Sequence, residues 1–78
     1  MKMLTIGQLA ERVGLRTSAL RYYEAEGLLI PDARSEAGYR LYAPDAEDTL
    51  RFIQQAQRLG FSLADIRTML RGVQEDSL

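Results

Sequence analysis

A single glycine, Gly14, separates two short stretches that each carry a helical pattern, and this arrangement constrains the fold more than any other feature of the sequence. The first stretch begins at Thr5, which has capping-box spacing with Gln8, and the second runs from about residue 17 to residue 26. The apolar residues that recur at helical spacing in them are Ile6, Leu9, Ala10, Val13, Leu20 and Tyr23. Because the connection is short and contains a glycine suited to a positive φ, we expect a helix-turn-helix over about residues 5–26.

A short hairpin is predicted after the second helix. Pro31 interrupts the chain, and residues 32–34 and 39–42 can then pair as two strands around a turn. Gly38 is the natural position for a positive φ in that turn. Side chains alternate between the two faces of a strand, so one face can pack on the helices while the other points outward. The sequence therefore predicts a wing over about residues 32–42.

Two further helical patterns follow, over about residues 44–59 and 62–72. Pro44 fits the first position of the third helix, and the acidic residues after it favour a helix N-terminus. Ser62 and Asp65 have capping-box spacing at the start of the fourth. The apolar residues expected to face inward are Leu50, Phe52, Ile53, Ala56, Leu59, Leu63, Ile66, Met69, Leu70 and Val73. The predicted fold class is mainly α: a winged helix-turn-helix of four helices with a short two-stranded β-hairpin wing.

The composition argues against catalysis and against a metal site. The 78 residues include no cysteine and no histidine, so neither a cysteine/histidine metal site nor a catalytic dyad or triad built on them can form. No glycine-rich phosphate loop occurs, because the glycines stand singly at the ends of elements. We therefore expect no enzyme activity and no cofactor. Without a signal-peptide core or an apolar span, we expect a cytoplasmic location and no membrane partner.

Arginine and tyrosine residues concentrate on the second helix and on the wing. Planar guanidinium groups can bind phosphate or guanine with two hydrogen bonds, and phenol hydroxyls suit phosphate oxygens. Each arginine alone could be a solvated charge, and Arg21 could pair with Glu24 or Glu26, but the set on one face favours DNA contact. The candidate DNA-binding residues are Arg16, Thr17, Ser18, Arg21, Tyr22, Arg34, Tyr39 and Arg40. Tyr23, Leu41 and Tyr42 are expected to pack instead.

Taken in order, the motifs resemble those of one family, the N-terminal domain of MerR-family transcriptional regulators. The likeness extends from residue 4 to about residue 71 with matching spacing. The matching motifs are Ile6-Gly7-Gln8-Leu9-Ala10, Gly14-Leu15, Leu20-Arg21-Tyr22-Tyr23-Glu24, Gly27-Leu28-Leu29, Gly38-Tyr39-Arg40-Leu41-Tyr42, Arg51-Phe52-Ile53 and Leu59-Gly60-Phe61-Ser62-Leu63. Each fragment alone is weak, whereas the ordered set is specific.

The resemblance implies that the domain docks on double-stranded DNA at a palindromic promoter operator. The family's major-groove contacts would fall on Arg21 and Tyr22, and its wing contacts to the backbone on Tyr39 and Arg40. Family members are homodimers joined by a long helix after this domain. They distort a promoter so that RNA polymerase can use it, which is readout through DNA deformation. A homodimer is therefore expected for the full-length protein, and a monomer with weak DNA affinity for this chain alone.

Three positions depart from the family's usual pattern. Arg16 stands where a small helix-capping residue is usual, so Thr17 is an alternative cap. Ser18 replaces a residue that is often charged, which implies a different base preference. Glu47 stands where an apolar residue is usual, and this predicts looser packing at the start of the third helix.

The expected DNA-binding domain covers residues 1–72, and residues 73–78 are expected to begin a linker or a truncated dimerisation helix. The chain is either an excised domain or a naturally short protein. In the second case an architectural DNA-binding protein, such as an excisionase-like factor, is the alternative function. A protein-interaction module is a further alternative, and salt dependence separates it from DNA binding.

Overall fold

The computed structural model describes the backbone of residues 2–75 and the side chains of residues 2–72. It contains four helices, α1 (Ile6–Val13), α2 (Thr17–Ala25), α3 (Ala46–Arg58) and α4 (Leu63–Glu75), and three strands, β1 (Leu4–Thr5), β2 (Ala33–Arg34) and β3 (Arg40–Tyr42). The predicted fold class, four helices with a small antiparallel hairpin, is confirmed. None of the helices within residues 2–75 combines the length and the apolar character that crossing a membrane requires.

The wing hairpin is joined by a third strand that the sequence did not predict. β3 lies between β2 and β1, and both neighbours run antiparallel to it. Leu4 is opposite Tyr42 and Thr5 is opposite Leu41, so the residues just before α1 extend the sheet. This strand ties the wing directly to the N-terminus of the helix-turn-helix.

The capping residues predicted from the sequence lie at the ends of α1 and at the start of α4. The amide of Gln8 donates to Thr5 Oγ1 at 3.2 Å, and the amide of Thr5 donates to Gln8 Oε1 at 2.9 Å, which completes the predicted capping box. Ser62 and Asp65 form the same reciprocal pair at the start of α4, with distances of 3.1 and 3.3 Å. Gly14 ends α1 in the left-handed region at a φ of 71°. The predicted caps are therefore confirmed.

The start of α3 and the outer edge of its apolar face differ from the prediction. The helix begins at Ala46, because Pro44 lies in a preceding turn in which the amide of Glu47 donates to the Pro44 carbonyl oxygen at 3.1 Å. Phe52 and Leu59 were expected to face inward, but they are 40% and 72% exposed. The helix buries a narrower stripe, and these two residues lie beyond its edge.

One core joins α1, α2, α3, α4 and the wing. Its fully buried members come from every one of these elements and are Leu9, Leu20, Tyr42, Leu50, Ile53 and Ile66. Leu63, Met69 and Leu70 of α4 are partly buried against this core, whereas the side chain of Val73 lies outside the described residues. A core of this size leaves a small domain with modest stability, so each buried contact matters.

Candidate nucleic-acid interface

The two faces of α2 are sharply different. Leu20 is fully buried and Tyr23 is 8% exposed, whereas the neighbouring Tyr22 is 53% exposed beside the exposed Arg21. The Tyr23 hydroxyl donates to Gln57 Oε1 on α3 at 2.8 Å, and burial raises the pKa of Tyr23. The predicted split between a packing tyrosine and an exposed tyrosine is confirmed, and α2 offers solvent a face of arginine, tyrosine and serine.

The first turn of α2 begins at Thr17, with Arg16 as its cap residue. Arg16 is extended, with φ of −81° and ψ of 151°, and its side chain makes no capping hydrogen bond. Its carbonyl oxygen accepts from the amide of Ala19 at 3.0 Å. The alternative in which Thr17 is the cap is therefore wrong, because Thr17 is already helical. The exposed side chains of Arg16 and Ser18 flank this start, and Thr17 is half-buried.

The turn of the wing is held by its own side chains. Arg34 Nη1 donates to the Gly38 carbonyl oxygen at 3.1 Å, and the amide of Tyr39 donates to Ser35 Oγ at 3.1 Å. Gly38 has a φ of 88°, as the turn requires. Tyr39 projects from this frame with 70% of its surface exposed. Arg34 is exposed too, but part of its hydrogen-bonding capacity stabilises the turn.

Arg40 reaches from the wing across to α2. Its Nε lies 2.6 Å from Glu24 Oε2, and the Tyr42 hydroxyl donates to the other carboxylate oxygen, Glu24 Oε1, at 2.8 Å. Arg40 and Tyr42 share a face of β3 because they are two residues apart. Tyr42 is fully buried, and burial together with the bond to Glu24 raises its pKa to about 12. The wing is thus joined to α2 through one carboxylate.

Arg21 does not form the local ion pairs weighed from the sequence. Among the described residues, Glu24 pairs with Arg40, and Glu26 pairs with Arg67 of α4 at 3.4 Å. Local spacing could not reveal these partners, since both lie far along the chain. Arg21 is therefore exposed on α2 with no acidic partner among the described residues.

A cleft of about 400 Å³ separates α2 from the wing. Arg21 borders it from the helix, and Tyr39 and Arg40 border it from the wing. Its remaining lining comes from the start of α1, the wing turn and the edge of Tyr42. A second, more open depression is bordered by the same two arginines together with Glu24 and Ala25. Two guanidinium groups and the exposed phenol of Tyr39 thus border one cleft, although the whole chain has a net charge of −1.

Six of the eight predicted residues are exposed, in two groups, and three of these, Arg21, Tyr39 and Arg40, border the cleft. Arg16, Ser18, Arg21 and Tyr22 are exposed along α2, while Tyr39 and Arg40 are exposed on the wing. Thr17 is half-buried, and Arg34 supports the wing turn. The sequence analysis did not predict that Glu24 joins α2 to the wing. The local signal for this link was the alternation of side chains along β3, which places Arg40 and Tyr42 on the same face.

Fold and surface together define a winged helix-turn-helix domain of the DNA-binding class. Residues 4–73 match the family described as MerR HTH family regulatory protein. The chain belongs to the MerR family, as the ordered motifs predicted. It is 42% identical over 71 residues to the mercuric resistance operon regulatory protein of Bacillus cereus, covering 91% of this chain and 54% of that protein. The chain spans about half the length of the curated relatives it matches.

Solved structures of the family share this architecture. PbrR691 of Ralstonia metallidurans CH34, a transcription regulator solved with lead(II), is 34% identical and superposes with a TM-score of 0.87 over 97% of this chain and 59% of its own. HiNmlR, a MerR family regulator lacking the sensor domain and solved bound to promoter DNA, is 32% identical, with a TM-score of 0.77 over 87% of this chain and 54% of its own.

Proposed function

We propose that this domain binds double-stranded promoter DNA, with α2 in the major groove and the wing on the adjacent backbone. The observation that carries the proposal is that Arg21 from α2 and Tyr39 and Arg40 from the wing border one cleft, with Tyr22 exposed next to Arg21 on the helix. In a helix-turn-helix the second helix enters the major groove, and a wing beside that helix lies near the flanking phosphates. A relative of the same fold, HiNmlR, was solved bound to promoter DNA, which supports the proposal.

The candidate residues divide into two roles. Arg16, Thr17, Ser18 and Arg21 lie on the first turns of α2, where side chains approach base edges in a helix-turn-helix. Arg21 is the best candidate for a two-bond contact with guanine, because its guanidinium is exposed and lacks an acidic partner among the described residues. The other role is phosphate binding, which we assign to Tyr22, Arg34, Tyr39 and Arg40.

In the full-length protein we propose a homodimer on a palindromic operator that distorts the promoter for RNA polymerase. The relatives that this chain matches support the proposal, because they are transcriptional regulators about twice as long. The domain itself acts by binding and carries out no reaction. Because one domain covers one half-site, we expect this chain alone to be a monomer with weak affinity. A tight dimer in sedimentation at micromolar concentration would contradict that expectation.

A gel-shift experiment with a random-sequence DNA pool tests the proposal. Arg21→Ala should weaken binding and relax sequence choice, whereas Arg40→Ala should weaken binding almost uniformly across sequences. Arg58→Ala is the matched control, because Arg58 is exposed on the last turn of α3 and its loss changes the net charge equally. We expect the control to bind like the wild type.

The salt dependence of the wild type provides the second readout. Log affinity should fall linearly with log salt, with a slope of about −0.9 for each phosphate contacted. A protein-interaction surface would lack this dependence on DNA phosphates. If Arg21→Ala and Arg40→Ala both bind like Arg58→Ala, the assigned DNA surface is wrong.

A further inference from the structure

Glu24 occupies an unexpected place for an acidic side chain on a DNA-binding helix. It lies about one helical turn after Arg21, and it borders the same depression as Arg21 and Arg40. Negative charge beside a phosphate site lowers the attraction for DNA. A carboxylate in this position therefore requires a compensating role if the surface binds DNA.

The geometry supplies such a role. One oxygen of Glu24 is 2.6 Å from Arg40 Nε, and the other accepts from the buried Tyr42 hydroxyl at 2.8 Å. The Glu24 side chain is 17% exposed, whereas the Arg40 side chain is 50% exposed. The carboxylate is thus anchored from below by a fully buried residue and holds an arginine above it.

The bond to Nε leaves the terminal amino groups of Arg40 available. A guanidinium carries donors on all of its nitrogens, so a pair made through Nε does not block contact with a phosphate through the other two. Arginine side chains lose considerable rotamer freedom when they are fixed. Holding Arg40 before DNA arrives reduces the entropy lost on binding.

We propose that Glu24 is a positioning residue for DNA binding, which fixes the wing arginine Arg40 beside Arg21 so that both address one backbone phosphate. The inference rests on the proposed function. On this proposal α2 does more than contact DNA, because its Glu24 also fixes the side chain of the wing residue Arg40 before DNA binds. Tyr42 belongs to the same unit as the buried anchor of the carboxylate.

Glu24→Gln separates positioning from simple charge repulsion, because the two predict opposite signs. If Glu24 only repels DNA, removing its charge strengthens binding and steepens the salt dependence. If it positions Arg40, Glu24→Gln weakens binding about tenfold, since a charge-assisted contact is lost, and the salt slope becomes shallower by roughly 0.9. Glu36→Gln is the matched control, because Glu36 is exposed in the wing turn and its loss changes the charge equally. The control should bind as well as the wild type or better.

A double substitution tests whether the effect passes through Arg40. In an Arg40→Ala background, Glu24→Gln should no longer weaken binding, because the residue it positions is gone. Arg40→Lys should bind DNA more weakly than the wild type although it keeps the positive charge, because a single ammonium lacks the separate Nε and terminal amino groups through which arginine can contact Glu24 and phosphate at once. Circular dichroism of each variant verifies that it is folded. If Glu24→Gln is unfolded, the Arg40→Lys comparison decides the proposal.

The outcomes distinguish this inference from the proposed function. If the wild type fails to bind any DNA in the pool, the proposed function is wrong. If the wild type binds and Glu24→Gln binds equally well or better, like Glu36→Gln, only the positioning role is overturned. If Arg40→Lys binds DNA as tightly as the wild type, the positioning role is overturned as well, because the positive charge alone would then account for the contribution of Arg40.

Discussion

Two glutamates each join two elements of this domain, and their surroundings give them different consequences. Glu24 joins α2 to the wing through Arg40 and the buried Tyr42. Glu47 joins α3 to α1, with Oε1 2.8 Å from Arg51 Nη2 and Oε2 3.7 Å from Arg12 Nη1. The difference is the second partner: a fully buried hydroxyl at Glu24, and a second exposed guanidinium at Glu47.

A buried hydroxyl makes its acceptor necessary, whereas exposed arginines do not. A polar group buried without a partner destabilises the fold, so Tyr42 depends on Glu24. Arg12 and Arg51 can return to water if Glu47 is lost, and exposed pairs contribute little. Glu47, at the start of α3 where looser packing was expected, joins that helix to α1 through these ion pairs, and the looser packing stays a prediction. The contribution of a glutamate to the stability of this fold therefore depends on the burial of its partners and not on its residue type.

The largest expected effect comes from removing the anchor of the Glu24 cluster. Tyr42→Ala should lower the free energy of unfolding by about 3–5 kcal/mol, the range for truncating a large buried aromatic side chain. Arg12→Ala and Arg51→Ala, at the Glu47 cluster, should change it little because both side chains are more than half exposed. Urea denaturation followed by circular dichroism measures the three values. If all three variants lose the same free energy of unfolding, the Glu24 and Glu47 clusters do not differ in their contribution to stability.

The next effect tests the acceptors themselves. Glu24→Ala should destabilise the domain by about 1–3 kcal/mol, because the buried hydroxyl of Tyr42 loses its partner. Glu47→Ala should cost clearly less, since its partners are exposed. Thermal or urea unfolding of both variants gives the comparison. Restoring stability in a Glu24→Ala, Tyr42→Phe double variant would confirm that the unsatisfied hydroxyl is the cause.

The sequence predicted what neighbouring residues determine. The capping boxes of Thr5 with Gln8 and Ser62 with Asp65 were confirmed because the partners are three residues apart and interact within one turn. Strand β1 was missed because its two residues have no pattern of their own and pair only with the distant β3. The edge of α3 was also missed, since the width of a buried stripe depends on the neighbouring helices.

The candidate site shows the same limit. The exposed face of α2 followed from helical period, so Arg21 and Tyr22 could be separated from Leu20 and Tyr23 without a structure. The ion pairs could not, because Glu24 is sixteen residues from Arg40 in the sequence and has closer apparent partners. DNA contact by any of these residues remains a prediction, which the variants above test.

Alkaline pH should separate the two clusters through Tyr42. Its pKa is raised to about 12 by burial and by the bond to Glu24, whereas an unfolded tyrosine has a pKa of 10.0. The folded state therefore keeps a proton that the unfolded state releases, and stability falls as pH rises from about 10 to about 12. Tyr42→Phe should flatten this decline, as measured by urea denaturation at stepped pH. If the stability of Tyr42→Phe declines as steeply with pH as that of the wild type, groups other than Tyr42 cause the decline.

The smallest expected effect is the acid response of Glu47. Its pKa is lowered, first by the hydrogen bond from Arg51 and further by the charges of Arg51 and Arg12. A lowered folded pKa gives stability that is present above the ordinary value of 4.5 and is lost as pH falls through the folded value. Glu47→Gln should therefore differ slightly from the wild type near neutral pH and converge with it in acid. Because both arginine partners are more than half exposed, high salt should shrink the neutral difference, and a difference that persists in high salt would mean that these ion pairs are not screened as exposed pairs are.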